Sequence, residues 1–463
     1  MPISLSMFKI FIIIYLIYFV YADEEILNNI YFNDIDEDAS LDTFSLVRKY
    51  GYPCEIHRTY TEDKYVLELH RIPFGIQNSS QENRPVVFLQ HGLLSSSAEW
   101  VLMGPGKGLA YILADSGYDV WMGNARGNTY SRKHVSINPS SSAFWQFSWH
   151  EIGYYDLPAM IDYVLNETGV AKIQYVGFSQ GTTAFFVMTS TKPEYNNKIK
   201  AMQALAPVAF VGNIKSPLIR ALHYFSSICP GISSKWLRIT TFFLANGKIN
   251  ELAGKKFCLE EAITQSLCTN VFFLLCGYNE AQLNKTMLPV VLGHTPAGAS
   301  TRQMIHFGQL YKSKKFTHFD HGWLSNKRIY GTFTPPAYNL SAITAPIYLH
   351  YGDNDWLSSS NDIDKLLLGI DSVIGKYRVP LNKFNHLDFI FAIDANKLLY
   401  RRMMKIMSRL LNTSTNQLIP LDCFLYHKTS WQYSNKYGCV PVWRVSAPVK
   451  LPTQRARKNA LQV

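Results

Sequence analysis

Hydrophobic and polar positions along the chain form two kinds of pattern, which predict strands separated by helices. Three runs are apolar without alternation, as expected for strands buried on both faces: Pro85 to Gln90, Tyr118 to Gly123 and Ile173 to Gly177. Helical periodicity predicts helices at Lys107 to Ser116, Glu151 to Asn166 and Gln180 to Thr189. Pro158 either kinks the second helix or opens its second half. Strands and helices in this order predict an α/β fold with a mostly parallel sheet.

The pattern before and after these elements completes the prediction. Glu55 to Pro73 reads as a hairpin with its turn at Glu62-Asp63. From about Pro207 to Pro336 come aromatic-rich helical pieces such as Leu218 to Ala245, with no recurring strand. The strand–helix order then resumes at Pro346 to Tyr351, Asn361 to Leu368, Tyr377 to Leu381 and Ala395 to Leu410. One α/β domain with an inserted helical cap explains this better than two consecutive domains. The predicted core is 23–206 with 337–412, the cap or lid is 207–336, and 413–463 is an extension.

Composition and charge narrow the class of protein. Only 17% of the 463 residues are charged and 14% are aromatic, which excludes a disordered chain. The formal net charge of +11 first suggests nucleic acid or an anionic membrane as a partner. Lys9 contributes one positive charge, and 413–463 holds seven Lys and Arg against one Asp, which leaves +4 on 23–412. We therefore expect no nucleic-acid partner. The extension is expected to be disordered, proteolytically removed or attracted to anionic lipid.

The N-terminus and the sequons indicate a secretory protein. Residues 1–22 combine Lys9, an apolar stretch and Val20-Tyr21-Ala22, as in a signal peptide, with an uncleaved anchor as the alternative. No transmembrane span is expected in the mature chain. N-glycosylation is predicted at Asn78, Asn166, Asn284, Asn339 and Asn412. The seven cysteines lack the spacing of a zinc site, so no metal site is predicted. We expect an extracellular or lysosomal location.

The sequence Gly177-Phe178-Ser179-Gln180-Gly181 lies between a predicted strand and a predicted helix. A sharp turn there exposes the Ser179 hydroxyl, and the flanking glycines relieve backbone crowding. This context predicts that Ser179 is a nucleophile.

A nucleophilic serine needs a base and an acid that orients the base, each expected after a late strand. His386 follows the strand near Tyr377 and is the predicted base. Asp353 and Asp355 both follow the strand that ends at Tyr351, and spacing alone does not choose between them. Asp388 is too close to His386 in sequence to be the orienting acid.

The oxyanion of a tetrahedral intermediate needs two backbone N–H donors. One should be the amide of Gln180, directly after the nucleophile. The other candidate is the amide of Leu93, in the loop His91-Gly92-Leu93-Leu94 after the first long buried strand. The alternative is that this loop is an ordinary turn at the end of a strand.

Seven segments in unbroken order resemble the acid lipase family of α/β-hydrolases, the group that contains gastric and lysosomal acid lipases. They are LQHGLLSSSAEW, GYDVWMGNARGNTYSRKH, YYDLPAMIDYV, YVGFSQGTTAF, HTPAGAS, GDNDWL and NHLDFI. The resemblance runs from about Ser45 to Leu410. It implies an α/β-hydrolase fold with a helical cap and a mobile lid, no cofactor, and a neutral-lipid substrate at a lipid–water interface.

By position, the resemblance implies a triad of Ser179, Asp355 and His386, with Leu93 and Gln180 as oxyanion-hole donors. Asp355 is selected over Asp353 because the family's acid precedes Trp-Leu. FCLEEAITQSLC is similar to the family's disulfide segment, which implies a Cys258–Cys268 disulfide with Cys276 free. The chain departs from the family pattern in three places: at Phe178, where His is usual, at the extra Asp353, and after Asn412.

The leading hypothesis is a serine lipase that acts on triacylglycerol or sterol esters through an acyl-enzyme. One alternative is an esterase for small soluble esters. The other is a catalytically silent, secreted relative that binds lipid. Retention of the serine, the acid and the base argues against the silent relative.

Overall fold

The computed structural model describes residues 34–77, 83–217, 219–220, 265–412, 431–434 and 438–441. Within them one sheet contains nine strands. The strands are β1 (Glu55–Tyr60), β2 (Tyr65–Ile72), β3 (Val86–Gln90), β4 (Asp119–Gly123), β5 (Lys133–His134), β6 (Ile173–Phe178), β7 (Ile199–Leu205), β8 (Ile347–Tyr351) and β9 (Val373–Arg378). A separate antiparallel pair is formed by β10 (Trp431–Ser434) and β11 (Gly438–Pro441).

The main sheet is mostly parallel. Its order is β1-β2-β4-β3-β6-β7-β8-β9, with β5 paired to β2. Strands β4, β3 and β6 to β9 run parallel, whereas β1 and β2 form an antiparallel hairpin at one edge. The carboxyl ends of the parallel strands therefore meet at the same edge of the sheet, and the loops that follow β3, β6, β8 and β9 are brought together there.

Helices cover both faces of this sheet. The helices of the described residues are α1 (Asp34–Ser40), α2 (Thr43–Lys49), α3 (Leu109–Asp115), α4 (Trp149–Glu151), α5 (Leu157–Thr168), α6 (Gln180–Thr191), α7 (Gln265–Cys276), α8 (Leu288–His294), α9 (Thr301–Ser313), α10 (Trp323–Tyr330), α11 (Ser360–Gly369), α12 (Asp388–Phe391) and α13 (Arg401–Asn412). Alternate residues of β3 enter different hydrophobic clusters: Phe88 enters one, and Val87 and Leu89 the other. This burial on both faces explains the continuous apolar runs in the sequence.

Most predicted elements are confirmed, including the hairpin and the parallel strands. Pro158 lies in the first turn of α5, after a π-helical stretch at Ile152–Asp156, so it opens the second half of the predicted helix. The strand predicted near Tyr377 to Leu381 was placed too late, because β9 spans Val373–Arg378 and only Tyr377 in it is buried. The strand β7 was not predicted. The helix expected at Leu218 to Ala245 lies almost entirely outside the described residues.

The long segment between β7 and β8 contains α7 to α10. The proposed cap boundaries, 207–336, stay a prediction. In the part of the chain that the structure describes, no helix is long and apolar enough to cross a membrane. The β10–β11 hairpin lies in the 413–463 extension, whose other residues are outside the described ranges.

Candidate active site

Ser179 lies at the turn from β6 into α6, with backbone angles φ 51° and ψ −116°. A non-glycine residue rarely adopts this region, and such strain is typical of functional turns. A Cβ at Gly181 would meet the backbone of Gln90 well inside 3.0 Å, and one at Gly177 would lie 3.0 Å from the carbonyl of Gly181. Glycine is therefore required on both sides, because β6, α6 and β3 approach too closely for any side chain.

His386 and Asp355 are both brought to Ser179. The Nε2 atom of His386 lies 2.8 Å from Ser179 Oγ, and its Nδ1 atom lies 2.8 Å from Asp355 Oδ2. The other oxygen of Asp355 accepts hydrogen bonds from the amides of Leu357 at 2.9 Å and Ser358 at 2.7 Å. Since a carboxylate only accepts, the His386 proton sits on Nδ1. Nε2 is then free to accept the serine proton.

The neighbouring acids have other partners. The carboxylate of Asp353 accepts hydrogen bonds from Arg378 Nε at 2.8 Å, so it does not face His386. Asp388 accepts from the Asn385 amide at 2.8 Å and from Asn279 Nδ2 at 2.5 Å. Burial raises the pKa of Asp388 to about 7. The geometry thus separates Asp353 from Asp355, which spacing in the sequence did not.

The loop after β3 lies against Ser179, the predicted nucleophile. A Cβ placed on Gly92 would be 3.1 Å from the Phe178 ring and 3.4 Å from Ser179 Cβ. This close approach puts the backbone of Leu93, the next residue, beside the turn at Ser179. The amide of Gln180 is the first of α6, where the positive end of the helix dipole favours negative charge.

Glu99 holds this loop in place, and sequence reasoning missed it. Its buried carboxyl accepts a hydrogen bond from the Gly92 amide at 3.1 Å, and burial raises its pKa to about 8. His91 Nε2 lies 3.1 Å from the Ala125 amide, which can only donate, so His91 carries its proton on Nδ1 and donates to the Gly92 carbonyl at 2.8 Å. Glu99 lies within the family-like segment LQHGLLSSSAEW, which is the signal that could have pointed to it.

Gln303 was also missed. Its Oε1 atom accepts a hydrogen bond from the side chain of Gln180 at 2.7 Å, and both residues are buried. Gln303 lies on α9, far from Gln180 in sequence, so no local pattern could reveal the pair. The contact connects α9 to the residue that follows Ser179.

Residues 276–279, which begin at the last residue of α7, contact the loops of both Asp355 and His386. The Cys276 carbonyl accepts from the amides of Trp356 at 3.3 Å and His386 at 3.4 Å. The carbonyl of Gly277 accepts from Asn385 Nδ2 at 2.8 Å, and that of Tyr278 accepts from Asn354 Nδ2 at 2.8 Å. We call these residues the 276–279 segment. It joins the acid loop to the base loop.

Phe178, where the family usually has His, packs against His386, the predicted base. Its ring centroid lies 5.0 Å from that of His386, and the Phe178 side chain is buried. An apolar ring here offers His386 no hydrogen bond. The substitution therefore changes the packing of the imidazole and leaves its two nitrogen contacts intact.

The predicted glycosylation sites differ in exposure, and some of them and of the cysteines lie outside the described residues. Asn166 and Asn339 are exposed and Asn284 is half-buried, whereas Asn78 and the side chain of Asn412 lie outside the described residues. Cys258 and the Cys268 side chain also lie outside them, so their disulfide stays a prediction. Among the described cysteines, Cys54 and Cys276 have free thiols. Burial raises the pKa of the Cys276 thiol well above its usual value.

Similarity to known proteins agrees with this architecture. A family model described as "Partial alpha/beta-hydrolase lipase region" matches residues 43–104, and one described as "alpha/beta hydrolase fold" matches 85–224. Lipase 1 of Drosophila melanogaster is 44% identical over 381 residues, which cover 81% of this chain and 82% of that protein. Lipase 3 of the same fly is 45% identical, over 77% of this chain and 90% of that protein. Gastric triacylglycerol lipase of Rattus norvegicus is 40% identical over 80% of this chain and 92% of that protein.

Proposed function

The chain belongs to the lipase family of α/β-hydrolases, and from this premise we propose that it is a serine lipase for neutral lipids. The reaction would be hydrolysis of carboxylic ester bonds in triacylglycerol or sterol esters. The observation that carries the proposal is the hydrogen-bonded chain from Ser179 Oγ through His386 to Asp355, with 2.8 Å at both steps. The positions of Ser179 after β6, Asp355 after β8 and His386 after β9 support assigning nucleophile, acid and base in that order.

The first half of the reaction forms an acyl-enzyme. Ser179 Oγ attacks the ester carbonyl carbon while its proton passes to His386 Nε2. The carbonyl oxygen becomes an oxyanion, which the amides of Leu93 and Gln180 stabilise. The tetrahedral species then collapses, the bond to the alcohol oxygen breaks, and His386 gives its proton to the departing alcohol. The acyl group remains on Ser179.

The second half releases the fatty acid. Water attacks the acyl carbonyl carbon and transfers a proton to His386 Nε2, and the same two amides hold the new oxyanion. Collapse breaks the bond to Ser179 Oγ, which takes the proton back. Throughout, Asp355 holds Nδ1–H of His386 and stabilises the imidazolium. Because Leu357 and Ser358 fix the other oxygen of Asp355, the acid keeps its orientation in both halves.

Covalent labelling tests the assignment of the nucleophile. A fluorophosphonate should label the wild type in the mildly acidic to neutral range and fail to label Ser179→Ala. Absence of labelling in the wild type would instead favour the silent lipid-binding relative.

Hydrolysis of an emulsified long-chain ester, compared with a short soluble ester, separates a lipase from a small-ester esterase. Preference for the soluble ester would refute the lipase.

We further propose that the enzyme enters the secretory pathway and is N-glycosylated. The exposure of Asn166 and Asn339 supports this, since an oligosaccharide can be accommodated on both side chains. Enzymatic removal of N-glycans from the secreted protein should increase its gel mobility, and Asn166→Gln with Asn339→Gln should remove part of that shift. No mobility change in the wild type would refute the proposal.

A further inference from the structure

An exposed patch on α10 combines apolar and cationic side chains. Trp323 is 65% and Leu324 64% exposed, and Lys327 and Arg328 are exposed beside them. At about 100° of rotation per residue, these four positions fall within about 140° of the helix circumference. Phe333 is 53% exposed and extends the patch, because its ring centroid lies 5.8 Å from that of Trp323. We call these five residues the 323–333 patch.

Polar contacts of Asn326 and Tyr330 hold α10 in place while the patch stays exposed. Asn326 is buried, and its Nδ2 donates to Asp320 Oδ1 at 2.8 Å and to the Phe333 carbonyl at 3.1 Å. The Tyr330 hydroxyl donates to the Phe319 carbonyl at 2.9 Å. The helix is therefore held without burying its largest apolar side chains. Adjacent exposed Trp, Leu and Phe residues are typical of an interaction surface.

The charge around the patch indicates the chemistry of its partner. The two charged residues of α10, Lys327 and Arg328, are both cationic. Lys327 and Arg328 lie on the same helix face as Trp323 and Leu324. Lys327 Nζ lies 5.4 Å from the centre of the Phe333 ring. Apolar side chains interleaved with cations fit a surface that is apolar inside and anionic outside.

We propose that the 323–333 patch docks the protein onto an anionic lipid surface. Trp323, Leu324 and Phe333 enter the boundary between headgroups and acyl chains, and Lys327 and Arg328 contact the anionic groups. The inference rests on the proposed function in one respect, since a lipid surface under hydrolysis becomes anionic as fatty-acid carboxylates accumulate on it.

The patch is also connected to the site. Phe319, which precedes α10, packs against Arg302 on α9, with 5.2 Å between guanidinium and ring centre. The next residue of α9, Gln303, contacts Gln180 beside the nucleophile. One helix thus joins the docking surface to the proposed oxyanion hole.

Vesicle binding tests the proposal in the full chain carrying Ser179→Ala, so that no lipid is hydrolysed. Co-sedimentation is measured with phosphatidylcholine vesicles and with vesicles that contain roughly one-fifth phosphatidylglycerol. Trp323→Ser with Leu324→Ser should lower the partition coefficient about tenfold or more on the anionic vesicles. Lys327→Gln with Arg328→Gln should lower it about tenfold on anionic vesicles and less than about twofold on neutral ones.

A matched control removes two apolar side chains of similar exposure elsewhere. Tyr60 is 65% and Val135 61% exposed, and Tyr60→Ser with Val135→Ser should leave binding unchanged. Equal loss in the control, or no loss in the patch variants, would overturn the proposal. So would a change in oligomeric state of the patch variants without lipid, because a second copy would then be the partner. Turnover of a soluble ester, measured with Ser179 intact, should be equal in all variants, and its absence in the wild type would refute the lipase without touching the docking result.

Discussion

Replacement of Gly277 by Ala should disrupt the active site from outside it. Gly277 has φ +111°, and a Cβ there would meet the Asn354 carbonyl oxygen well inside 3.0 Å, with Asn354 Nδ2 at 3.2 Å and Asn385 Cβ at 3.3 Å. Asn354 precedes Asp355, and Asn385 precedes His386. The added methyl group therefore pushes on the acid loop and the base loop together.

The expected displacement sets the size of the effect. Non-bonded carbon and oxygen atoms keep about 3.2 to 3.5 Å apart, so at least one of the two loops must move by about 1 Å. The hydrogen bond between Asp355 and His386 spans 2.8 Å, and a movement of about 1 Å would take it beyond hydrogen-bonding distance. Misplacement of catalytic groups by about 1 Å can reduce rate about 100-fold, which is about 2.7 kcal/mol in activation free energy.

Turnover of a short soluble ester is the appropriate assay, because it does not depend on lipid binding. Gly277→Ala should lower kcat about 100-fold with little change in KM. Gly169→Ala is the matched control: Gly169 also has positive φ, at +67°, but a Cβ there meets nothing within 4 Å. Both variants bear the backbone cost of a left-handed Ala, about 1 to 2 kcal/mol, and should lose a few degrees in Tm.

The comparison separates positioning from general destabilisation. If Gly277→Ala keeps kcat within about threefold of Gly169→Ala, the 276–279 segment does not position the catalytic loops. A loss of kcat that follows Tm in both variants would also refute the reasoning, because the cause would then be partial unfolding.

Three further predictions follow from particular contacts. Asp355→Asn should lower kcat for the soluble ester about 10⁴-fold, because the amide would favour the wrong His386 tautomer. Asp353→Asn should change kcat less than about threefold in the same assay. Similar losses in the two variants would refute the assignment. Arg126→Ala should lower the free energy of unfolding in urea by about 3–5 kcal/mol, since the buried carboxylate of Asp156 then lacks the Arg126 Nε donor at 2.7 Å. A decrease below about 1 kcal/mol would contradict this. Burial lowers the pKa of His306 to about 3 in the folded protein, against about 6.5 in the unfolded chain. Below about pH 6.5 the unfolded chain therefore binds more protons than the folded protein, and the free energy of unfolding decreases as the pH is lowered. His306→Gln should therefore flatten the decline of Tm between about pH 6.5 and 4, and an unchanged slope would refute this contribution.

Local constraints explain how much of the candidate site could be predicted from sequence. The turn at Ser179 needs glycine at both flanks because two chain segments cross there, so the requirement appears as a short motif. His386 follows the last strand of the parallel sheet, which places it at the same edge as Ser179. The choice of Asp355 over Asp353 came from the family resemblance. In the structure the carboxylate of Asp353 accepts a hydrogen bond from Arg378 Nε.

Long-range contacts explain what the sequence pattern missed in the fold. The strand β7 contains Lys200 and Gln203 among its apolar residues, so no continuous apolar run marks it. Gln203 is nevertheless buried, because its Oε1 lies 2.8 Å from His350 Nε2 on β8. The edge strand β9 is only half-buried, which blurs its boundaries. A partner distant in sequence thus accounts for the buried Gln203 of β7, whereas the position at the edge of the sheet accounts for the partial burial of β9.

The sequence by itself determined the α/β class, the buried strands β3, β4, β6 and β8, and the residue types available for ester hydrolysis, because periodicity and tight turns are local properties of the backbone. Only the tertiary structure decided which side chains meet. Glu99 holds the Gly92 amide, Gln303 holds Gln180, and the 276–279 segment joins the loops of Asp355 and His386. Hydrogen bonds act over about 3 Å in space whatever the separation along the chain, and a linear pattern records only that separation.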